Sequence, residues 1–239
     1  MNTIHFVMMG KGGVGKSLIA VTLAQYLAKL ERPLNCVDLD PTSPTFKQFG
    51  ALNVEHISIV DNEANIDPTR FDVLMENILK SDTDWVIDTG APTFLPLVNY
   101  LAANEVFSFL VESGRRVVIH SPLVGGVAMH ETVSGLKALL QMSDCPIVVW
   151  ENEFFGPVAL NGKRFLQTTG YEQFKSRVLG VVLLEKKDHK TAEADLRSMH
   201  ARRLTWNEAD EDDGFMTMQR NRLKIMRRDI DGQLDKIDL

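Results

Sequence analysis

The eight residues from Gly10 to Ser17 have the types and spacing that bind a polyphosphate. They are Gly-Lys-Gly-Gly-Val-Gly-Lys-Ser and match the pattern G-x-x-x-x-G-K-S/T. Glycines let successive backbone N–H groups turn toward one anion, because no Cβ atom obstructs the turn. Lys16 would bring a positive charge to the β- and γ-phosphates, and Ser17 would offer a hydroxyl to Mg²⁺. The predicted nucleotide-binding residues of this loop are Gly10, Lys11, Gly12, Gly13, Val14, Gly15, Lys16 and Ser17.

Three aspartates that follow apolar runs could complete this chemistry. Asp38 and Asp40 lie two residues apart in Val-Asp-Leu-Asp-Pro, and residues two apart in a strand share a face. Their carboxylates can then face the crevice at the strand ends, although Asp and Pro are also ordinary turn residues. Asp88 ends the run Asp-Trp-Val-Ile-Asp, which has the form of a Walker B strand, and it would hold Mg²⁺ through water. Asp84, which begins that run, is interpreted as a surface residue.

These residues need strands and helices to position them, and the apolar pattern predicts both in alternation. Short apolar runs predict strands over residues 4–9, 34–39, 85–87, 117–120, 147–150 and 178–184. Apolar repeats at helical spacing predict helices over residues 17–30, after Asp67 and Pro68, around 133–140 and over 215–237. Asp67 would be the N-cap of its helix and Pro68 the first helical residue. The alternation predicts a three-layer α/β P-loop fold, in which a mostly parallel sheet carries helices on both faces. We predict a P-loop ATPase domain over residues 1–205 and, as part of the same domain, a C-terminal helical appendage over residues 206–239.

The additional lysine at position 11 makes the phosphate loop resemble the deviant Walker A loop of the ParA/MinD group of P-loop ATPases. That resemblance implies a homodimer that sandwiches two ATP molecules, with Lys11 reaching the nucleotide of the other subunit. It implies slow hydrolysis of ATP to ADP and phosphate, with Lys11, Lys16 and Asp40 as catalytic residues. Asp40 would position the attacking water. Ser17, Asp38 and Asp88 would form the metal site, with Asp38 holding the metal shell or the lysine.

Further residues can be compared with the ParA/MinD group one by one. Asn152 follows a predicted strand where members of the group often place an Asn that contacts adenine, although it is also an ordinary loop residue. The chain departs from the group after Asp88, where Thr-Gly-Ala-Pro stands in place of x-Pro-Pro. It departs again after Asp40-Pro41, where Thr42 and Ser43 replace Gln and a small residue. The first departure puts the geometry around the γ-phosphate, and hence the hydrolysis rate, in question.

A closer resemblance extends over most of the chain. Short segments at 51–54, 86–88, 132–135, 148–150 and 222–225 are similar to a family of conjugative-transfer proteins of broad-host-range plasmids. This resemblance implies an ATPase that works near the relaxosome or the type IV secretion channel. It also implies a cytoplasmic location, free or peripheral to the inner membrane.

The C-terminal helix carries a group of basic residues whose role the sequence leaves open. Its members are Arg220, Arg222, Lys224, Arg227 and Arg228. They could form a weak contact with the DNA backbone or with a membrane surface. Alternatively, the helix packs on the domain and its basic face pairs with the acidic run at 208–213.

Composition narrows the classes of function. The chain has 239 residues, 44% of them apolar, and a formal net charge of −6, which is typical of a globular protein and argues against a surface built entirely for nucleic acid. Cys36 and Cys145 form no C-x-x-C pair, so we expect neither a zinc site nor an iron–sulfur centre. Three alternatives to a conjugative switch stay open: a partition or positioning ATPase that binds DNA non-specifically, a P-loop enzyme with a small-molecule substrate, and a non-hydrolysing module that assembles on ATP.

Overall fold

The computed structural model describes residues 1–239 and is organised around one seven-stranded sheet. The strands are β1 (Thr3–Val7), β2 (Leu34–Asp38), β3 (Glu55–His56), β4 (Asp84–Asp88), β5 (Arg116–Val124), β6 (Ile147–Asn152) and β7 (Val178–Leu184). Their spatial order is β3-β2-β4-β1-β5-β6-β7, and every pair of neighbouring strands is parallel. The predicted parallel sheet is confirmed, and the carboxyl ends of all seven strands lie at one edge.

Nine α-helices connect or cover the strands. They are α1 (Lys16–Lys29), α2 (Arg70–Lys80), α3 (Ala91–Ala103), α4 (Val106–Glu112), α5 (Met129–Met142), α6 (Thr169–Phe174), α7 (Ala192–Ala201), α8 (Trp206–Glu211) and α9 (Thr217–Leu234). One apolar core lies between the sheet and α2 to α5. A second core lies on the opposite face, under α1 and the end of α9. The molecule is therefore three layers deep, as the alternation of strands and helices predicts.

The central strands belong to both cores because their side chains alternate between the two faces. In β1, Ile4 and Phe6 face the first core and Val7 faces the second. All five residues of β1 are buried. Burial on both faces explains why the run over residues 4–9 is apolar at every position except His5, and why the loop that follows it starts from a rigid support.

Several predicted boundaries shift in the structure. Helix α2 begins at Arg70, and Asp67 instead closes the preceding turn by accepting hydrogen bonds from the Thr69 amide (3.0 Å) and hydroxyl (2.7 Å). The interpretation of Asp84 as a surface residue is wrong. Its side chain is 4% exposed, accepts a 2.7 Å hydrogen bond from the Thr3 amide and pairs with Arg32. A backbone amide and a guanidinium, both from outside the local sequence, make that burial possible.

The C-terminal segment packs along the domain. Helix α9 contributes to a third apolar cluster with α7 and α8. Beyond α9, Asp235 accepts a 3.0 Å hydrogen bond from the Tyr26 hydroxyl, and Asp238 accepts one of the same length from Arg116. None of the nine helices alone has the length and apolar character to cross a bilayer, and only the bent pair α3 and α4 meets that test, by length and composition.

Candidate functional site

The loop between β1 and α1 is shaped by glycines at positions where a side chain would not fit. Gly13 and Gly15 have φ values of +74° and +99°, in the left-handed region. A Cβ on Gly10 would lie 2.8 Å from Cδ1 of Phe94, and one on Gly15 would lie 2.8 Å from Nδ2 of Asn152. Helix α1 has no side-chain cap, so its first N–H groups remain available to an anion.

The side chain of Lys16 folds back over the phosphate loop that carries it. This side chain is buried, and its Nζ donates a 3.2 Å hydrogen bond to the carbonyl of Lys11. Burial lowers the pKa of Lys16, and the nearby carboxylates of Asp88 and Asp40 oppose that shift. The two carboxylates favour the charged form of Lys16, and a buried ammonium whose hydrogen bond goes to a loop carbonyl can bind an anion in the same cavity.

Asp88 lies at the end of β4, next to β1, and is 1% exposed. Burial raises its pKa to about 7, and the Ser17 hydroxyl and Lys16 act in the opposite direction. Its Oδ1 is buried and has no hydrogen-bond partner within the protein. An orphaned carboxylate oxygen beside a hydroxyl fits the oxygen ligands that Mg²⁺ prefers, and a cation there would satisfy it. No group of three or more His, Cys, Asp or Glu side chains in the chain could hold a metal ion by itself.

Asp38 and Asp40 lie at the end of β2, and each accepts hydrogen bonds from the loop that follows. Asp38 accepts from the amides of Asp40 (2.9 Å) and Lys47 (3.0 Å), one on each oxygen. Burial raises the pKa of Asp38, and these bonds oppose the shift. The pattern makes Asp38 an organiser of the loop, and its predicted place in the metal shell stays a prediction.

Asp40 is half-buried and points toward the phosphate loop. Its Oδ1 accepts from the Thr42 amide (2.9 Å), the Thr42 hydroxyl (2.8 Å) and the Ser43 amide (3.0 Å). Burial would raise the pKa of Asp40, but the hydrogen bonds and the charge of Lys16 outweigh it, so the pKa is lowered. An ionised, weakly basic carboxylate can orient a water molecule better than it can remove its proton.

Two adjoining cavities meet at the phosphate loop. A polar cavity of about 500 Å³ is lined by the loop, by Asp40, Thr42 and Ser43, and by the start of α3. A mostly apolar cavity of about 340 Å³ lies on the other side of Gly13 and Gly15. Its walls come from α1, the ends of β6 and β7, and helices α7 to α9. A polar cavity for phosphates beside an apolar one for an aromatic ring has the form of a nucleotide site.

Asn152 lies at the boundary between these cavities, but its amide is already engaged. Its Nδ2 donates to the carbonyl of Val14 (3.1 Å), and its Oδ1 accepts from the amide of Phe154 (3.1 Å). The structure therefore shows Asn152 bracing the phosphate loop against β6. Contact with adenine stays a prediction for this residue.

Lys11 points away from the phosphate cavity. Its Nζ lies 3.0 Å from each carboxylate oxygen of Glu131 on α5, and its side chain is 40% exposed. The structure thus places Lys16 inside the site and Lys11 at its rim.

Most of the basic residues of α9 are paired with carboxylates. Arg220 pairs with Asp213, Arg222 with Asp195, Lys224 with Asp210 and Arg227 with Asp231. Among the five residues considered from the sequence, Arg228 alone forms no ion pair. The helix therefore presents much less free positive charge than its sequence suggests.

The sequence motifs did not reveal the walls of the apolar cavity. Phe154, Leu183 and Glu185 line it because β6 and β7 end beside the phosphate loop. The available signal was the general rule that ligands of parallel sheets bind at the carboxyl ends of strands. The sequence distinguished Thr42 only as a departure from the ParA/MinD pattern after Asp40-Pro41.

Comparison with known proteins identifies a nucleotide-binding family. Residues 5–201 match the family described as "CobQ/CobB/MinD/ParA nucleotide binding domain". Two curated Escherichia coli proteins, each named "Protein TraL", are 40% and 41% identical to the chain over 238 residues. Each match covers 98% of this chain and 98% of the relative.

Solved structures also resemble the fold. A ParA family ATPase from Chlorobium tepidum TLS superposes with a TM-score of 0.54 at 13% identity, over 95% of this chain and 99% of that one. The MinD cell division protein of Aquifex aeolicus gives a TM-score of 0.51 at 16% identity, over 97% and 98% of the two chains. At such identities the likeness concerns the fold alone.

Proposed function

The chain belongs to the CobQ/CobB/MinD/ParA nucleotide-binding family, and on that basis we propose that it is a Mg²⁺-dependent ATPase that closes a homodimer when ATP binds. One observation carries the proposal: a single glycine-rich loop directs Lys16 into a cavity shared with Asp40 and holds Lys11 at the rim. In such an arrangement Lys16 can bind the nucleotide of its own subunit, and Lys11 can reach the nucleotide of a neighbouring subunit.

Within one subunit, the loop amides and Lys16 would hold the β- and γ-phosphates. Phosphate oxygens would provide the buried ammonium with charged acceptors that the loop carbonyl does not offer. The base would occupy the apolar cavity beyond Gly15, where Asn152 keeps the loop in place.

Ser17 and Asp88 would hold Mg²⁺, which supplies charge neutralisation at the β- and γ-phosphates. Asp38 would shape the loop that carries Asp40, through its two backbone hydrogen bonds. Asp40, ionised and half-buried, would orient the attacking water. Lys11 of the second copy would neutralise the charge that develops during phosphoryl transfer.

We further propose that this switch acts in conjugative plasmid transfer. The resemblance to conjugative-transfer proteins and the two TraL relatives, which match almost the whole chain, support this role. The partners would be relaxosome or type IV secretion components, met in the cytoplasm or at the inner face of the membrane. A role in non-specific DNA binding has less support, since four of the five basic residues of α9 already have acidic partners.

The molar mass in solution tests the switch. The Asp40→Ala variant, which should bind ATP but hydrolyse it far more slowly than the wild type, is measured with Mg²⁺-ATP and with Mg²⁺-ADP. We expect a dimer with ATP and a monomer with ADP. Adding Lys11→Ala should abolish the dimer, whereas adding Glu131→Ala removes the same ion pair, keeps the lysine and should preserve it.

The other outcomes separate the alternatives. If ATP binds but the molar mass is the same with ATP and with ADP, the proposal of a dimer switch is wrong. Tight ATP binding with no phosphate release from the wild type would favour a non-hydrolysing module. Turnover that depends on an added metabolite would indicate a small-molecule enzyme, and salt-dependent binding to arbitrary DNA would favour a partition or positioning protein.

A further inference from the structure

The turn after β2 holds one oxygen of Asp40 and leaves the other free. All three hydrogen bonds from Thr42 and Ser43 end on Oδ1, at 2.8 to 3.0 Å. No hydrogen bond within the chain ends on Oδ2. The two carboxylate oxygens are chemically equivalent in solution, so the turn makes them different.

The backbone on the opposite side limits where this carboxylate can move. A Cβ on Gly90 would lie 2.6 Å from Cγ of Asp40, so the carboxylate rests directly against the loop that follows Asp88. The amide of Asp40 is itself held by Oδ1 of Asp38 at 2.9 Å. Asp40 is thus fixed at its backbone, against Gly90 and at one oxygen, beside the cavity that Lys16 and Ser17 also line.

Only one of the three bonds to Oδ1 depends on the residue type at position 42. The two amide bonds come from the backbone of the turn and would survive a change of side chain. The hydroxyl bond requires Ser or Thr. Thr42 is exposed and has no other hydrogen bond through its side chain, so its hydroxyl serves this carboxylate alone.

We propose that Thr42 is a positioning residue for ATP hydrolysis, whose hydroxyl holds Oδ1 of Asp40 so that Oδ2 orients the attacking water. This inference rests on the proposed ATPase function. In the step concerned, the water oxygen bonds to the γ-phosphorus as the bond from phosphorus to the bridging oxygen breaks. ADP leaves with the electron pair, and a proton of the water passes to the phosphate product or to solvent.

Steady-state phosphate release and calorimetric ATP binding test the role of the hydroxyl. Thr42→Val keeps the shape of the side chain and removes the hydroxyl, and Thr42→Ser restores the hydroxyl. Losing one hydrogen bond to a charged group should lower kcat roughly ten-fold in Thr42→Val. The KM and the dissociation constant for ATP should change less than about two-fold, and Thr42→Ser should stay near the wild-type rate.

A double-mutant cycle distinguishes action through Asp40 from a general effect on the turn. In an Asp40→Ala background, single-turnover hydrolysis should be the same with Thr or Val at position 42, because the group that the hydroxyl positions is gone. Thr42→Ala, which also removes the hydroxyl, provides a second variant should Val distort the turn.

This inference would be overturned by an unchanged kcat in Thr42→Val, by an equal loss in Thr42→Ser, or by an undiminished effect of Thr42→Val without Asp40. An increase in kcat would also overturn it, since the bond would then restrain Asp40 rather than aim it. Absence of phosphate release from the wild type would overturn both the ATPase proposal and this inference. If the wild type hydrolyses ATP and substitutions of Thr42 leave kcat unchanged, this inference alone is wrong and the ATPase proposal stands.

Discussion

Two buried histidines, one on β1 and one on β5, should make the stability of this protein depend on pH. Nδ1 of His5 lies 3.0 Å from Nε2 of His120, and the indole N–H of Trp150 donates to Nδ1 of His120 at 3.0 Å. Because Nδ1 of His120 accepts that bond, Nε2 must carry the proton and donate to His5. Both imidazoles are 0% exposed, and this chain of bonds needs both of them neutral.

The size of the effect follows from the difference in pKa between the folded and unfolded states. Burial lowers the pKa of His120 to about 3, and burial and His120 lower that of His5 well below its ordinary value. In the unfolded chain each imidazole has a pKa of about 6.5. Since the unfolded state binds more protons below that value, stability is full above it and falls as the pH falls toward the folded pKa. Between about pH 7.5 and about pH 5.5, His120 alone should cost about 1.4 kcal/mol of unfolding free energy.

Urea unfolding at those two pH values, followed by circular dichroism, measures this loss. His120→Gln removes the titrating group while keeping a side chain that can accept a hydrogen bond from Trp150. Its stability should therefore fall by about 1.4 kcal/mol less than that of the wild type over the same interval. Val118→Ala, a substitution facing the same core, should lower stability equally at both pH values. If His120→Gln and the wild type lose the same free energy, the folded protein tolerates a charged imidazole and the reasoning is refuted.

Three further predictions concern the phosphate loop and the C-terminal segment. Asn152→Ala should weaken ATP binding roughly five- to ten-fold by calorimetry, because the loop loses its hydrogen bond at Val14. Asp195→Ala should lower the unfolding free energy by about 2 kcal/mol, since the guanidinium of Arg222 loses a buried partner 2.6 Å away. Ile237→Ala should lower it by about 2–3 kcal/mol in urea unfolding, because the side chain is 9% exposed and packs against the backbone at Gly180.

Matched substitutions at exposed positions control these measurements. Asn99→Ala should leave ATP binding unchanged. Asp210→Ala, which breaks an exposed pair with Lys224, and Val73→Ala, at a side chain that is 50% exposed, should each lower stability by less than about 1 kcal/mol. If a control substitution has as large an effect as the substitution it is matched to, the corresponding prediction is wrong.

Six of the seven strands and helices α1, α2, α5 and α9 were predicted from the sequence, but the short strand β3 and the other five helices were not. β7 was predicted with its observed bounds, 178–184, because the segment is an apolar run broken only by Gly180, although Val182 is the one fully buried residue of this edge strand. Helices α3 and α4 were missed. Pro92 and Pro96 interrupt the pattern of α3, and its residues are too evenly apolar to show a helical period. The short helices α6 to α8 were missed as well.

What the sequence determines by itself is chemistry confined to neighbouring residues. The phosphate loop lies within eight consecutive residues, and its glycines and lysines act through their own backbone and side chains, so their types and order suffice. What only the tertiary structure decides is which distant groups meet. His5 and His120 are separated by 115 positions and are in contact because β1 and β5 are neighbouring strands. Asn152 and Val14 are separated by 138 positions and are in contact because the loop after β1 reaches the end of β6. The same holds for Asp195, which pairs with Arg222 on α9, and for the glutamate that holds Lys11. Burial and charge pairing depend on distances through space, which residue types and spacing do not specify.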